Sequence, residues 1–390
     1  MKESLNKKIL IVCPLDLTVI IICRGFIETL IKNGYSVSVI SSLDKYRNAI
    51  SKLNINHYEV EMKRFISPID DIKYLIKLRS IIKLEKPHAI FNFTLKPIVF
   101  GSIASLGFES KVINAYRGLG RSFSVENTFR VKILQFILLN LFRLSNYIAS
   151  DVWMTNSGDL NFFLNNRIVN KDKVVLTKNG TNISYFTMPD DRDNIRVSYL
   201  EEFGFSPNDK VIIMVARIVA TKGVREFIQT ARYYKSVNPA YKFLLVGPVE
   251  EENMDAISPQ ELLRENAENS SFEWIGFRKD LKDIYCAVDL AVLPSYYGEG
   301  GYPRALMEPM SMGIPVVTTD TSGCRGAIDH KKSGLLIPPK SHKALGEAID
   351  QILQNKEILK SYGAAARLKV ENDFNELKIA QNVINKCLTT

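Results

Sequence analysis

The sequence predicts an α/β protein built from two doubly wound parallel sheets. Three observations carry that expectation. Short β-branched runs alternate with longer helical patterns along the chain, the alternation comes as two separate series, and a polar, proline-containing stretch at 184–193 divides them. Parallel strands need a helix-sized crossover between them, so strand–helix alternation implies sheets covered on both faces. At 390 residues, 46% apolar and 24% charged, the chain has material for two cores and too little charge for wholesale disorder.

In the first series, 9–13, 37–40, 89–93 and 112–115 read as buried strands, and 24–33, 68–86 and 127–147 as helices. The helix at 68 carries a start signal: Ser67 is placed to cap, Pro68 sits at the first helical position, and Asp70 and Asp71 complement the dipole in the first turn. Ile69, Ile72, Leu75, Ile76 and Leu78 then recur at roughly helical spacing. In the second series, 211–216, 243–246, 272–275, 290–293 and 315–318 read as strands, separated by helical segments that include 224–235 and 305–312.

Charge is uneven. Residues 1–190 hold 26 basic and 15 acidic side chains, net +11, and residues 191–390 hold 25 and 27, net −2. The first half is therefore built to meet something negative. Nucleic acid is not the expected partner, because no basic patch is interleaved with aromatics. Five widely spaced cysteines without a C-x-x-C argue against a disulfide framework or a zinc site and fit a reducing cytosol. No signal peptide and no run of about 18 apolar residues is evident, so a soluble or peripheral protein is expected. Asp191-Arg-Asp193 lies in the linker candidate and not after a buried strand, so no metal is expected there. His57, His88, His330 and His342 match no catalytic spacing, and no G-x-G-x-x-G follows the first strand.

Ligands of open α/β sheets bind beyond the carboxyl ends of the strands, so the loops after strands are where chemistry is expected. After the strand at 211–216, Arg217 and then Lys222-Gly223 lead into a helix. An arginine fork and a lysine point charge beside a helix start suit a diphosphate. After the strand at 290–293, a glycine-rich loop holding Glu299, Gly300 and Gly301 enters a helix near Pro303 that Gly313 closes. Glycines let a backbone approach a ligand, and Glu308, about one and a half turns into that helix, can accept from two neighbouring hydroxyls such as a ribose diol.

These two segments, in this order, resemble the donor half of glycosyltransferase family 4, whose members have the GT-B fold of two Rossmann-like domains facing across a cleft. Asn179-Gly180-Thr181-Asn182 resembles the family's turn at the end of the first domain, and 272–280, with Gly276 and Phe277, the segment beside the nucleotide base. Lys86-Pro87-His88, Thr94-Leu95-Lys96-Pro97 and Gly118-Leu119-Gly120 resemble the first domain of members that build bacterial surface polysaccharides. The resemblance implies roles. Arg217 and Lys222 would hold the diphosphate, Glu308 the ribose and Glu299 the donor sugar. Gly300, Gly301, Tyr302, Pro303, Arg304, Ala305 and Leu306 would touch phosphate or sugar, and Arg117, Gly118, Leu119 and Gly120 would lie on the acceptor side. It implies retaining chemistry with no metal and no cofactor. Two features depart from the family pattern. Eight residues separate Glu299 from Glu308 where seven are usual, and Ala115-Tyr116-Arg117-Gly118 stands where many members carry a histidine.

The domains expected are 1–186, on the acceptor and membrane side, with a helix at about 374–390 packing back on it, and 187–373, the donor half. The 127–147 helix mixes Phe129, Ile133, Phe136, Ile137 and Phe142 with Arg130, Lys132 and Arg143. A basic amphipathic helix suits an anionic membrane surface. Together with the charge asymmetry and the resemblance, it points to a cytoplasmic enzyme peripheral on the inner face of the membrane. Its expected donor is a nucleotide sugar, UDP-linked by preference, and its expected acceptor a polyprenyl-diphosphate-linked sugar. A sugar-nucleotide epimerase on the same fold and a non-catalytic nucleotide-sugar-binding subunit remain alternatives.

Overall fold

In the computed structural model, every pairing between the strands named below is parallel. The structure describes residues 7–44, 46–63, 66–118, 129–250, 253, 255–297 and 301–389. They divide into two units, 1–178 with 376–390, and 179–375.

The first unit holds β1 (Lys8–Leu15), β2 (Ser36–Ser42), β3 (Asn56–Glu59), β4 (Ala89–Phe93), β5 (Lys111–Tyr116), β6 (Asp151–Met154) and β7 (Val174–Leu176), in the order β3-β2-β1-β4-β5-β6-β7. The strand order reverses between β1 and β4, so the switch point lies at their carboxyl ends. One face of the sheet is covered by the helix Arg24–Lys32 and by the chain's last helix, Glu376–Leu388. Helices Pro68–Glu85, Leu95–Ala104 and Phe129–Ile148 cover the other. The second unit holds β8 (Lys210–Val215), β9 (Tyr241–Val246), β10 (Phe272–Trp274), β11 (Leu290–Leu293), β12 (Val316–Thr319) and β13 (Gly334–Ile337), in the order β10-β9-β8-β11-β12-β13. Its switch point lies between β8 and β11.

Three expectations need correction. The expected division after 186 falls at 178/179 instead, and 374–375 stay with the second unit. The stretch at 184–193 is not a free linker. Phe186 is buried in the second core, Arg367 donates to the Ile183 and Phe186 carbonyls, and a helix starts at Arg192. Thr181 N–H donates to the Phe374 carbonyl, which ties the turn at 179–182 to the same unit. At the helix Pro68–Glu85, Ser67 does not cap with its oxygen. Its hydroxyl donates to Asp70 at 2.7 Å, and its N–H donates to Asp71 at 3.1 Å. The buried stripe of that helix is Asp71, Tyr74, Leu78, Ile81, Ile82 and Glu85, while Ile69, Ile72 and Ile76 are exposed. The spacing is helical but mixes two faces: Leu78 is buried and Leu75 packs on the core, while the three isoleucines lie on the opposite side.

All five cysteines are free and buried, with the Cys13 and Cys23 thiols 3.6 Å apart. Among the described residues no helix is long and apolar enough to cross a membrane. The units carry 28 basic and 15 acidic residues against 23 and 27, so the asymmetry is sharper on structural boundaries than on halves of the chain.

Candidate active site

In the second unit the loops leaving β8, β9, β10 and β11 are joined at the carboxyl edge of the sheet. Gly247, with φ +152°, follows β9 so closely on β8 that a Cβ would stand 1.7 Å from the Ala216 carbonyl oxygen. Its N–H donates to the Gly276 carbonyl at 2.8 Å, and Trp274 Nε1 donates to the Gly247 carbonyl at 3.1 Å. Gly223, at φ +85°, starts the helix Val224–Val237, and a Cβ there would stand 2.2 Å from the Pro294 carbonyl oxygen. Only glycine tolerates both that φ and that approach. The Tyr296 and Tyr297 N–H groups donate to the Thr221 carbonyl at 3.0 and 3.2 Å, stitching the β11 loop to the β8 loop. Thr221 is itself held by Asp255, through its N–H at 3.2 Å and its hydroxyl at 2.6 Å.

Arg217 and Lys222 stand on this stitched edge. Arg217 is about two-fifths exposed, and its Nη1 meets Glu250 Oε2 at 2.8 Å. Lys222 Nζ lies 5.4 Å from the centre of the Tyr297 ring. Glu308 is the fifth residue of the helix Arg304–Ser311, with Leu306, Met307 and Met310 turned into the core. Its Oε1 accepts from Arg304 Nε at 2.9 Å. Burial pushes its carboxyl above the usual carboxylate range, against the opposing pull of Arg304. A carboxylate held in so dry a site accepts hydrogen bonds strongly once it is ionised. Gly276, at φ +69°, follows β10 with open space where a Cβ would stand, and Phe277 beyond it is half-exposed, a flat apolar surface for a base. The cation after it turns elsewhere: Arg278 pairs with Glu202 and Asp280 and holds the Asp280 carboxyl down at about 2.

At the glycine-rich loop, a Cβ on Gly301 would come within 2.3 Å of Asn179 Nδ2, and that amide donates to the Tyr302 carbonyl at 3.4 Å. Tyr302 packs on Phe374, ring centres 5.1 Å apart. Pro303 caps the helix in an extended conformation, and Ala305 and Leu306 form its first turn. Glu299 and Gly300 lie outside the described residues, as do Leu119 and Gly120. The carboxyl edge thus carries Arg217 and Lys222 after β8, Gly276 and Phe277 after β10, and Gly301, Tyr302, Pro303, Arg304, Ala305 and Glu308 on the loop and helix after β11, while Leu306 is turned into the core. Such an edge can take an anionic diphosphate between two cations and a helix start.

Sequence reasoning missed Glu250, Asp255 and the wedge of Asn179. None of the three has a local signature, because each meets its partner across a loop.

In the first unit, Arg117 follows β5, and its guanidinium lies over the rings of Trp153 at 4.1 Å and Phe93 at 5.4 Å. Gly118 beside it has φ +122°. At that unit's own switch point Thr94 has φ +70° at the start of the helix Leu95–Ala104. A β-branched residue there is strained, and strain of this kind collects at functional sites. Asp16, fully buried after β1, accepts from the Ser41 hydroxyl at 2.7 Å, and His57 Nε2 lies 2.8 Å from that hydroxyl. His57 is thus an edge residue tied into structure. Among the described residues no group of three or more histidine, cysteine or carboxylate side chains gathers to hold a metal.

Comparison with known proteins matches residues 8–152 to the model of glycosyl transferase 4-like domains and residues 198–369 to that of glycosyl transferases group 1. The capsular polysaccharide biosynthesis glycosyltransferase CapM of Staphylococcus aureus is 25% identical, over 90% of this chain and 89% of its own length. The N,N'-diacetylbacillosaminyl-diphospho-undecaprenol alpha-1,3-N-acetylgalactosaminyltransferase of Campylobacter jejuni is 25% identical, over 83% of both chains. Among solved structures, Anabaena Alr3699/HepE in complex with UDP and glucose superposes with a TM-score of 0.80 at 18% identity, covering 98% of this chain and all of that one. With one model on each unit, in the order the resemblance implied, and the same fold from end to end, the chain is a glycosyltransferase of family 4 with the GT-B fold.

Proposed function

We propose that this glycosyltransferase moves a sugar, with retention, from a nucleoside-diphosphate donor, UDP-linked by preference, to a polyprenyl-diphosphate-linked sugar at the anionic inner face of the membrane, in the assembly of a surface polysaccharide. The observation that supports the reading is the placement of Arg217 and Lys222 on the loop that leaves β8 and of Glu308 on the helix that follows β11, the two strands that flank the switch point. The relatives named for capsule synthesis and for a diphospho-undecaprenol substrate support the acceptor class.

The chemistry follows from where charge develops. As the bond from C1 of the sugar to the diphosphate breaks, negative charge gathers on the β-phosphate. Cations aimed there stabilise the transition state more than the ground state. Each charge-assisted hydrogen bond contributes about 1.5–3 kcal/mol, so Arg217 and Lys222 together supply roughly two to four orders of magnitude in rate. For Arg217 to act, the diphosphate must exchange with the Glu250 carboxylate that holds it here. The ribose diol donates to Glu308, Phe277 stacks beside the base, and Glu299 takes the sugar hydroxyls. The acceptor oxygen forms its bond to C1 on the face the diphosphate leaves, and its proton passes to the departing phosphate oxygen. On the acceptor side, the reading assigns Arg117 and Gly118, which follow β5, together with Leu119 and Gly120.

A thermal-shift screen of UDP-, GDP- and ADP-sugars tests the donor, followed by transfer assays on polyprenyl-diphosphate-linked and free sugars. Stabilisation by UDP-sugars and transfer to the lipid-linked acceptor are expected. Epimerised or hydrolysed donor without transfer, or full activity on the free sugar alone, would refute the proposal.

A further inference from the structure

The helix Pro68–Glu85 is apolar on two opposite sides. Tyr74, Leu78, Ile81 and Ile82 face the sheet. Ile69, Ile72 and Ile76 are 70, 59 and 62% exposed, and Ile66 just before the helix is 71% exposed. At 100° per residue these helical isoleucines centre almost diametrically opposite the buried stripe. An apolar stripe away from the core is the pattern of a helix with a second apolar partner.

The helix Phe129–Ile148 repeats the arrangement. Phe142, Ser145 and Asn146 are buried, while Ile133, Phe136 and Ile137 are exposed on the far side, Phe136 at 67%. The two helices cover the same face of the sheet. Leu10 and Ile90 lie under the first and Val112 and Val152 under the second. The strand register pairs Leu10 with Ile90, Ile90 with Val112, and Asn114 with Val152. Side chains alternate along a strand, so these residues share one side. The helix Leu95–Ala104 packs between the two, setting the ridges about 16–20 Å apart.

We infer that these two outward ridges form a single docking face for an anionic lipid surface, with the isoleucines of 66–76 entering the acyl boundary. The inference rests on the membrane reading above and specifies the surface that carries it. Charge selects the occupant. Lys73, Lys77, Lys83 and Lys132 are exposed around the ridges, and of the acidic residues on the first helix Asp71 and Glu85 are buried, leaving Asp70 at its start. Lysine stems can lie along apolar surface while their ammonium groups reach phosphate, the arrangement of interfacial helices. A second copy docking through the same face would set lysine against lysine, which costs free energy.

Co-sedimentation of the full chain with phosphatidylglycerol–phosphatidylcholine vesicles and with phosphatidylcholine vesicles tests the inference. The native protein is expected on the anionic vesicles. The Ile69→Ser/Ile72→Ser/Ile76→Ser variant should partition at least about tenfold less while keeping its melting temperature, since all three side chains are already in water. Should that variant fail to fold, Lys73→Glu/Lys83→Glu, at two exposed positions, should show the same loss. Ile76→Trp fluorescence should be quenched by bromine-labelled acyl chains, and Lys32→Trp, on a helix of the opposite sheet face, should not. Native binding with undiminished binding by the serine variant would overturn this inference and leave the membrane reading standing. No binding by the native protein would overturn both. A lipid-free native dimer that the serine variant reduces to a monomer would assign the face to a second copy and overturn it.

Discussion

Glu308→Gln keeps the volume of a side chain that is 8% exposed and removes its charge. Two effects of opposite sign follow. In binding, a hydroxyl donating to a carboxylate contributes about 1.5–3 kcal/mol, and one donating to a neutral amide oxygen about 0.5–1.5. The exchange therefore costs about 1–1.5 kcal/mol, or roughly five- to thirteenfold in the dissociation constant of UDP. In stability, burial raises the Glu308 pKa, with Arg304 opposing it. A glutamate whose folded pKa is raised contributes stability that is complete below its unfolded value, about 4.3, and lost as pH rises through the folded value. Glutamine does not titrate. The melting temperature of the variant minus that of the native protein should therefore increase from about pH 4.5 upward and level off above the folded pKa. Titration calorimetry with UDP at neutral pH and melting curves across this range read both effects. Unchanged UDP affinity would show that the carboxylate does not meet the nucleotide. A melting difference that shrank with rising pH would refute the account of its burial.

Arg217→Ala and Lys222→Ala should each lower kcat by roughly two to three orders of magnitude with the melting temperature preserved, and near-native kcat in either would remove that residue from the diphosphate site. Glu250→Gln releases Arg217 from a half-exposed ion pair worth about 0.2–1 kcal/mol, so the donor should bind about 1.5- to fivefold more tightly, less so at high salt. Weaker donor binding would mean that Glu250 contacts the donor itself. Gly301→Ala forces a methyl group against the Asn179 amide and should lower kcat/KM by roughly tenfold, with partial recovery when Asn179→Ala is added. A fully active Gly301→Ala enzyme would show that the wedge does not shape the loop.

The strands at 89–93 and 290–293 were legible to the residue because they are buried on both faces and bounded by turn residues. Gly223 and Gly313 were legible as helix punctuation, and both have positive φ in the structure. The short strands β3, β6, β7 and β13 were not; β3, with the sequence Asn-His-Tyr-Glu, has no apolar run to mark it. Glu308 was legible from its depth in a helix after a glycine-rich loop. The ion pair of Arg217 with Glu250 was not, because 33 residues and a whole helix separate the partners. The Pro68–Glu85 helix misled for a physical reason. Periodicity identifies an apolar face, but a helix that is apolar on two sides offers two, and only packing decides which one meets the sheet.

The first unit is discontinuous in sequence: its last helix, Glu376–Leu388, supplies Ala380, Val383, Ile384, Cys387 and Leu388 to a core begun by β1. Biosynthesis runs in one direction, so nearly 200 residues of the second unit leave the ribosome before that side of the first core can close. At about 5–20 residues per second the groove beside the helix Arg24–Lys32 stays open for roughly 10–40 s, a window in which a chaperone competes with misassembly. A chain stopped at residue 375 should keep a protease-resistant second unit and lose resistance in the first, the half made earliest.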